Sequence, residues 1–301
     1  MSSLHKPLGF GGILDQTFTI IKSHFKPLFL ISFLISVPIY LIHAIILALD
    51  GKNLLIGAQP AQNFFNQITN NIDSFTQTTW VEDISGFVSF ILILFATPLI
   101  AGATIHGIQK VRSGETFTAK EMIKMAMPRY WPMFWSLLLI SLIVMGIVFI
   151  PIFLIGITIA ILAVAEPVIA IIAGILISLG TFIGSGLLLS RWSLFLPCVL
   201  FDKVAPGLSK SWRLTKKQTW KFFGLFILLF IITSIISSVL QIPLVFLGNS
   251  IVSQFLTNVI SMVTNIVLLV GYAVMYFDAS LRYDATDLKE MIQDYDTTEQ
   301  P

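Results

Sequence analysis

Long apolar runs alternate with short polar breaks along this chain, and the runs set the architecture. A helix needs roughly 20 apolar residues to cross a hydrocarbon core. Six stretches meet that length, at about 27–49, 86–108, 132–157, 167–190, 222–247 and 252–277. The third and fourth meet at AVAEP, where Glu166 and Pro167 mark the break, and the fifth and sixth meet at the turn-forming LGNS. The pattern predicts an all-α integral membrane protein with six transmembrane helices arranged as three hairpins. Residues 1–277 form a single polytopic membrane domain, with an outer loop at 50–85 and a short acidic tail at 278–301.

A basic, partly apolar segment leads into each hairpin. The three are ILDQTFTIIKSHFKPLFLIS (13–32), AKEMIKMAMPRYWPMFWSLLL (119–139) and LSKSWRLTKKQTWKFFGLFILL (208–229). In the first, Leu14, Phe18, Ile21 and Phe25 share one helical face. The second opens with Thr118-Ala-Lys-Glu121, the spacing of a capping box, and then shows Ile123, Ala126, Met127 and Tyr130 as its apolar stripe. The third places Leu208, Trp212 and Phe223 on one face. Each is expected to be an amphipathic helix on the cytoplasmic face, aromatic side chains at headgroup depth and cations toward anionic lipid. Phe25-Lys-Pro-Leu-Phe29 aligns with Tyr130-Trp-Pro-Met-Phe134, which raises an internal repeat.

Charge orients the plan. With both termini cytoplasmic, 17 of the 18 Lys and Arg residues lie on the inner side, and only Lys52 lies outside. The chain is 56% hydrophobic and 11% charged, against about 25% charged in soluble domains. The net charge of +2 gives no case for nucleic acid. A lone cysteine, Cys198, excludes an internal disulfide and reads as a small buried apolar residue. The opening MSSLHKPLGFGGILDQ lacks the pattern of a cleaved signal, so the first apolar run is expected to stay as a span.

Outside the spans, the loop at 50–85 carries Phe64, Phe65, Ile68, Ile72 and Phe75, the pattern of one amphipathic helix. The tail DLKEMIQDYDTTEQP reads as a frayed or disordered helix. Pro38, Pro98, Pro151 and Pro243 are candidate kinks, and Gly174, Ser178, Gly180 and Gly184 on the fourth span read as a close-packing face.

Candidate chemistry is sparse. Asp50, Glu166, Arg191 and Asp278 sit at span ends, and His43 and His106 lie in the first and second spans without a carboxylate at ligand spacing. No HExxH, Walker glycine loop or GxSxG is present. Two uncharged stripes stand out: Ser234, Ser238 and Gln241 on the fifth span, and Gln254, Asn258, Ser261 and Asn265 on the sixth. Such faces either bond helix to helix or line a groove for a lipid headgroup or small solute. Asp278 and Arg282 stand four apart, the spacing of a helical ion pair.

The stretch SRWSLFLPCVLFDKVAPGLSKSWRLTKKQTWKFFG (190–224) resembles the membrane domain fused to some bacterial glycerophosphoryl diester phosphodiesterases. The resemblance rests on Arg191, Leu196-Pro197, Asp202 and Ser211-Trp-Arg213-Leu214. It extends to Leu14-Asp15 in GGILDQTFTIIKSHFKPLF and to the tail MYFDASLRYDATDL. Ser280 and Ala285 depart from the Arg and Gly common in that family. The resemblance implies a stand-alone bacterial multi-span domain; it does not imply phosphodiesterase activity, since the chain has no room for the catalytic barrel and no HRG-like motif.

Together these readings point to a non-enzymatic scaffold or accessory protein of the bacterial inner membrane. It would organise anionic lipid of the cytoplasmic leaflet, or a membrane-protein partner, and needs no metal or cofactor. The alternative is a lipid or small-solute transporter using the polar faces of the fifth and sixth spans. An enzyme of lipid metabolism has the least support. Arg191, Pro197, Asp202, Arg213, Asp278 and Arg282 are the candidate structural or interaction positions, the charges among them being expected to lock hairpin ends together.

Overall fold

A computed structural model of the chain describes residues 8–55, 80–216, 218–248 and 250–298, with backbone alone at 162–165, 245 and 286–298. The outer-loop helix expected around Phe64–Phe75 lies outside the described residues. Every regular element among the described residues is helical. The order is α1 (Phe10–Leu49), α2 (Trp80–Arg112), α3 (Ala119–Ala126), a 3-10 turn (Met127–Arg129), α4 (Tyr130–Ala165) and α5 (Pro167–Trp192). It continues with α6 (Phe195–Phe201), α7 (Leu208–Thr215), α8 (Thr219–Gln241), a second 3-10 segment (Ile242–Leu247) and α9 (Ile251–Thr298). Six helices among the described residues are long and apolar enough to cross a membrane, and they contain five of the six expected runs; the fifth run, 222–247, goes beyond its helix into a 3-10 segment.

The breaks fall where the backbone is constrained. α1 leaves helical geometry at His24 (φ −125°, ψ 27°). Pro27 explains the position, because its ring excludes the carbonyl four residues back and restricts Lys26 before it. The 3-10 turn at Met127–Arg129 comes just ahead of Pro132, and a turn around Gln218 separates α7 from α8. So each of the three joints between a basic segment and an apolar run interrupts the helix. Aligned aromatic pairs also repeat: Phe25 stacks on Phe29 at 5.7 Å, and Tyr130 stacks on Phe134 at 6.1 Å. Pro38, Pro98 and Pro151 sit inside continuous helices, and Pro243 lies in the second 3-10 segment.

The chain divides into two compact units. One comprises Gly11–Pro128 and Leu228–Val274. In it the packed face of α1 is Ile13, Thr17, Ile20, Leu28 and Ile31, while Phe18 and Phe25 of the expected stripe point outward. α3 packs on α2, with Ala119, Met122 and Ala126 buried and Met127 exposed. Its Thr118 cap accepts from the Glu121 N–H at 3.4 Å, as the capping-box spacing requires. The N–H groups of Ile251 and Val252, orphaned at the start of α9, donate to the carbonyls of Asn53 and Leu54. Lys52 pairs with Glu82 at 2.5 Å.

The other unit comprises Met1–Phe10, Arg129–Ile227 and Met275–Pro301. α4 and α5 pack together on either side of Glu166, the N-cap of α5. Their far halves are apolar on most sides, with Phe149, Phe153, Ile171, Leu176 and Phe182 exposed. The close-packing glycine is Gly186, where an added Cβ would meet Phe223 at 2.3 Å. Gly174 meets Ile159, but Gly180 and Gly184 of the expected face have open space around them. α6 is buried at five consecutive residues, Leu196, Pro197, Cys198, Val199 and Leu200, and so packs on all sides.

Candidate functional site

In the second unit Lys221, Asp202 and Lys210 converge on the Met275–Ala285 part of α9. Asp278 has a fully buried side chain and is its organising group. Its Oδ2 receives Lys221 Nζ from α8 at 2.8 Å and Arg282 Nε, one turn further along α9, at 3.1 Å. Its Oδ1 accepts the backbone N–H of Leu8 at 2.7 Å. The Leu8 carbonyl in turn accepts from Lys221 Nζ at 2.9 Å and Arg282 Nη2 at 2.7 Å. The backbone N–H and C=O of one residue, Leu8, are thus held by three charged side chains. The ring of Phe10 follows, lying against Gly224, where an added Cβ would stand 3.3 Å away.

Asp202, at the end of α6, forms a second junction. Tyr276 Oη donates to its Oδ2 at 3.4 Å, and Lys210 Nζ approaches its Oδ1 at 3.8 Å. Lys210 also stands 5.3 Å from the centre of the Tyr283 ring, and Phe201 stacks on Tyr276 at 5.9 Å. The C-terminal end of α6 and the first turn of α7 are therefore fastened to α9 through Tyr276 and Tyr283.

Arg191 and Asp202, which flank α6, take different partners. Arg191 lies over the Trp212 ring at 4.4 Å and donates from Nε to Thr219 Oγ1 at 3.2 Å. Its carbonyl, left over at the C-terminal end of α5, accepts from Ser211 Oγ at 2.9 Å. The same Ser211 oxygen accepts the Leu194 N–H at 3.0 Å. Ser211 therefore joins the end of α5 to the start of α6. Gly207 begins α7 at φ +77°, with the Phe195 carbonyl 2.6 Å from where a Cβ would sit. Pro197 is buried in α6, and Arg213 is exposed on α7.

Beside these contacts lies an open groove of about 530 Å³, lined by Arg191, Trp212, Lys216, Thr219, Trp220 and Lys221, with Leu187 and Leu188 at its apolar end. A second cavity, of about 500 Å³, is lined by Ile159, Gly174, Ile175 and other apolar residues of α4 and α5.

The polar stripes belong to the first-described unit, and they are not its packed faces. Ser238 and Asn265 are exposed, while Ser234, Gln241, Gln254, Asn258 and Ser261 are half-buried. Gln241 donates to Ser237 on its own helix at 2.7 Å. The packed face of α9 runs through Met262, Ile266, Val270 and Ala273, one residue round from the polar stripe. Among the described residues no group of three His, Cys, Asp or Glu side chains comes together as a metal site.

Lys221 and Leu8 are the members of the Asp278 junction that the sequence did not reveal. Lys221 was visible only as one cation among seven in its loop, and a backbone acceptor carries no side-chain signal. The chain matches no family model, no curated protein and no solved structure.

Proposed function

We propose that this chain is a non-enzymatic, multi-span scaffold of a bacterial inner membrane. Three hairpins, each led by a basic segment, stand with both termini in the cytoplasm and gather anionic lipid or a partner complex there. The observation that carries this reading is the enclosure of Asp278 by Lys221, Arg282 and the Leu8 peptide. Its carboxylate is fully engaged in holding chain segments together, which is the work of a structural lock and not of a proton relay or catalytic acid. The motif residues behind the resemblance to the phosphodiesterase membrane domain fit the same role. Arg191, Asp202, Ser211 and Asp278 each fasten one element of the unit to another. We extend the resemblance to a relative of that domain.

Exposure of Ser238 and Asn265 within apolar runs favours a membrane-protein partner over bare lipid on that face, because polar groups facing hydrocarbon lose their hydrogen bonds. Reconstitution separates the scaffold from a transporter. Vesicles containing the protein should show no lipid scrambling or solute flux above empty vesicles, while the protein recovers a defined partner from native membranes by crosslinking. Flux abolished by Asn258→Leu would establish the transporter instead.

A further inference from the structure

We propose that the groove beside Arg191 seats the phosphodiester of an anionic phospholipid. This rests on the lipid-organising reading above and narrows it to one site.

Charge is the first argument. Of the three cations lining the groove, Lys221 is neutralised by Asp278. Arg191 and Lys216 pair with no carboxylate among the described residues, so the groove carries an unbalanced positive charge. Preorganisation is the second. The Arg191 guanidinium is held by the Trp212 face and by Thr219 Oγ1, which fixes its plane before a ligand arrives. A planar, already oriented guanidinium is suited to two parallel bonds with phosphate oxygens.

The apolar end decides the occupant. Leu187 and Leu188 precede Arg191 on α5 by about one turn, so the lining changes from cationic to aliphatic along the helix toward its apolar run. Free phosphate has no use for that wall, whereas a phospholipid lays its glycerol and upper acyl chain along it. A volume of about 530 Å³ accommodates a headgroup region, since small-molecule sites run from about 300 to 1,000 Å³.

The test uses the full chain in detergent, with retained lipid read by native mass spectrometry from an equimolar mixture of phosphatidylglycerol and phosphatidylcholine. Wild type should retain phosphatidylglycerol preferentially. Lys216→Gln, at an exposed side chain, should lower that preference about fivefold, and Arg191→Gln combined with it about twenty-five-fold. Arg213→Gln is the control, being exposed on α7 three residues before Lys216 but outside the groove lining. An equal loss in Arg213→Gln and Lys216→Gln would overturn the groove while leaving the lipid-organising reading intact. No preference in wild type would overturn both. Displacement of phosphatidylglycerol by an equal concentration of inorganic phosphate would overturn the lipid as occupant.

Discussion

Lys221 Nζ lies 2.8 Å from Asp278 Oδ2, although 57 residues of chain separate them. The carboxylate is buried, and the peptide of Leu8 closes the other side. Removing one partner of a buried pair is costly because it strands the other's charge, by about 3–5 kcal/mol. Lys221 and Arg282 keep some exposure, so the lower end of that range applies. Asp278→Ala should lose about 3 kcal/mol of stability and lower membrane yield. Arg191→Ala should lose about 1 kcal/mol with its contact to Trp212. Thermal unfolding in detergent measures both, and wild-type behaviour of the pair would remove the lock.

Ser211→Ala removes a hydroxyl that serves the Leu194 N–H and, together with Thr215 Oγ1, the Arg191 carbonyl. An unsatisfied buried donor costs about 1–3 kcal/mol. The variant should unfold at lower temperature, and amide hydrogen exchange at Leu194 should quicken more than exchange at the centre of α5. Unchanged exchange there would mean another group takes over the N–H.

The six spans, the break at Glu166-Pro167, the Thr118 cap and the Asp278–Arg282 pair were legible because each depends on local sequence alone. Faces were harder to read. Leu14, Phe18, Ile21 and Phe25 make a good apolar stripe, yet α1 packs through Ile13, Thr17 and Ile20. Where the surroundings are themselves apolar, large hydrophobic residues gain nothing by turning inward, and small or β-branched ones pack better. The same logic hid Gly186 behind the more regular Gly180 and Gly184 spacing. The Lys221–Asp278–Leu8 junction was illegible for a different reason: its partners are distant in the chain, and one is a backbone carbonyl.

Gly207 combines a positive φ with a neighbouring carbonyl 2.6 Å from the position of a Cβ. Left-handed geometry alone costs an ordinary residue about 1–2 kcal/mol, and the clash adds to it. Gly207→Ala should therefore destabilise by at least about 2 kcal/mol, while Gly180→Ala, with open space around it, should be near neutral. Comparing the two melting temperatures checks the assignment, and equal shifts would count against it.

Orientation is open to direct measurement because the one native thiol, Cys198, is fully buried and should resist labelling in the folded protein. Single cysteines at Ser113 and Ser209 should react with an impermeant maleimide only after the cytoplasmic side is exposed. A cysteine at Leu55, which is exposed next to the Lys52–Glu82 pair, should react in intact cells. The reverse pattern would invert the topology drawn from the cation count.

The most direct test of the lock is a double-mutant cycle on Lys221→Ala and Asp278→Ala, read by unfolding free energy in lipid nanodiscs. Contacting charges should give a coupling energy above about 1 kcal/mol, the double variant losing less than the sum of the single losses. Additivity within about 0.3 kcal/mol would contradict it, since independent sites add to that accuracy, and Asp278 would then be a buried charge with no lock to hold.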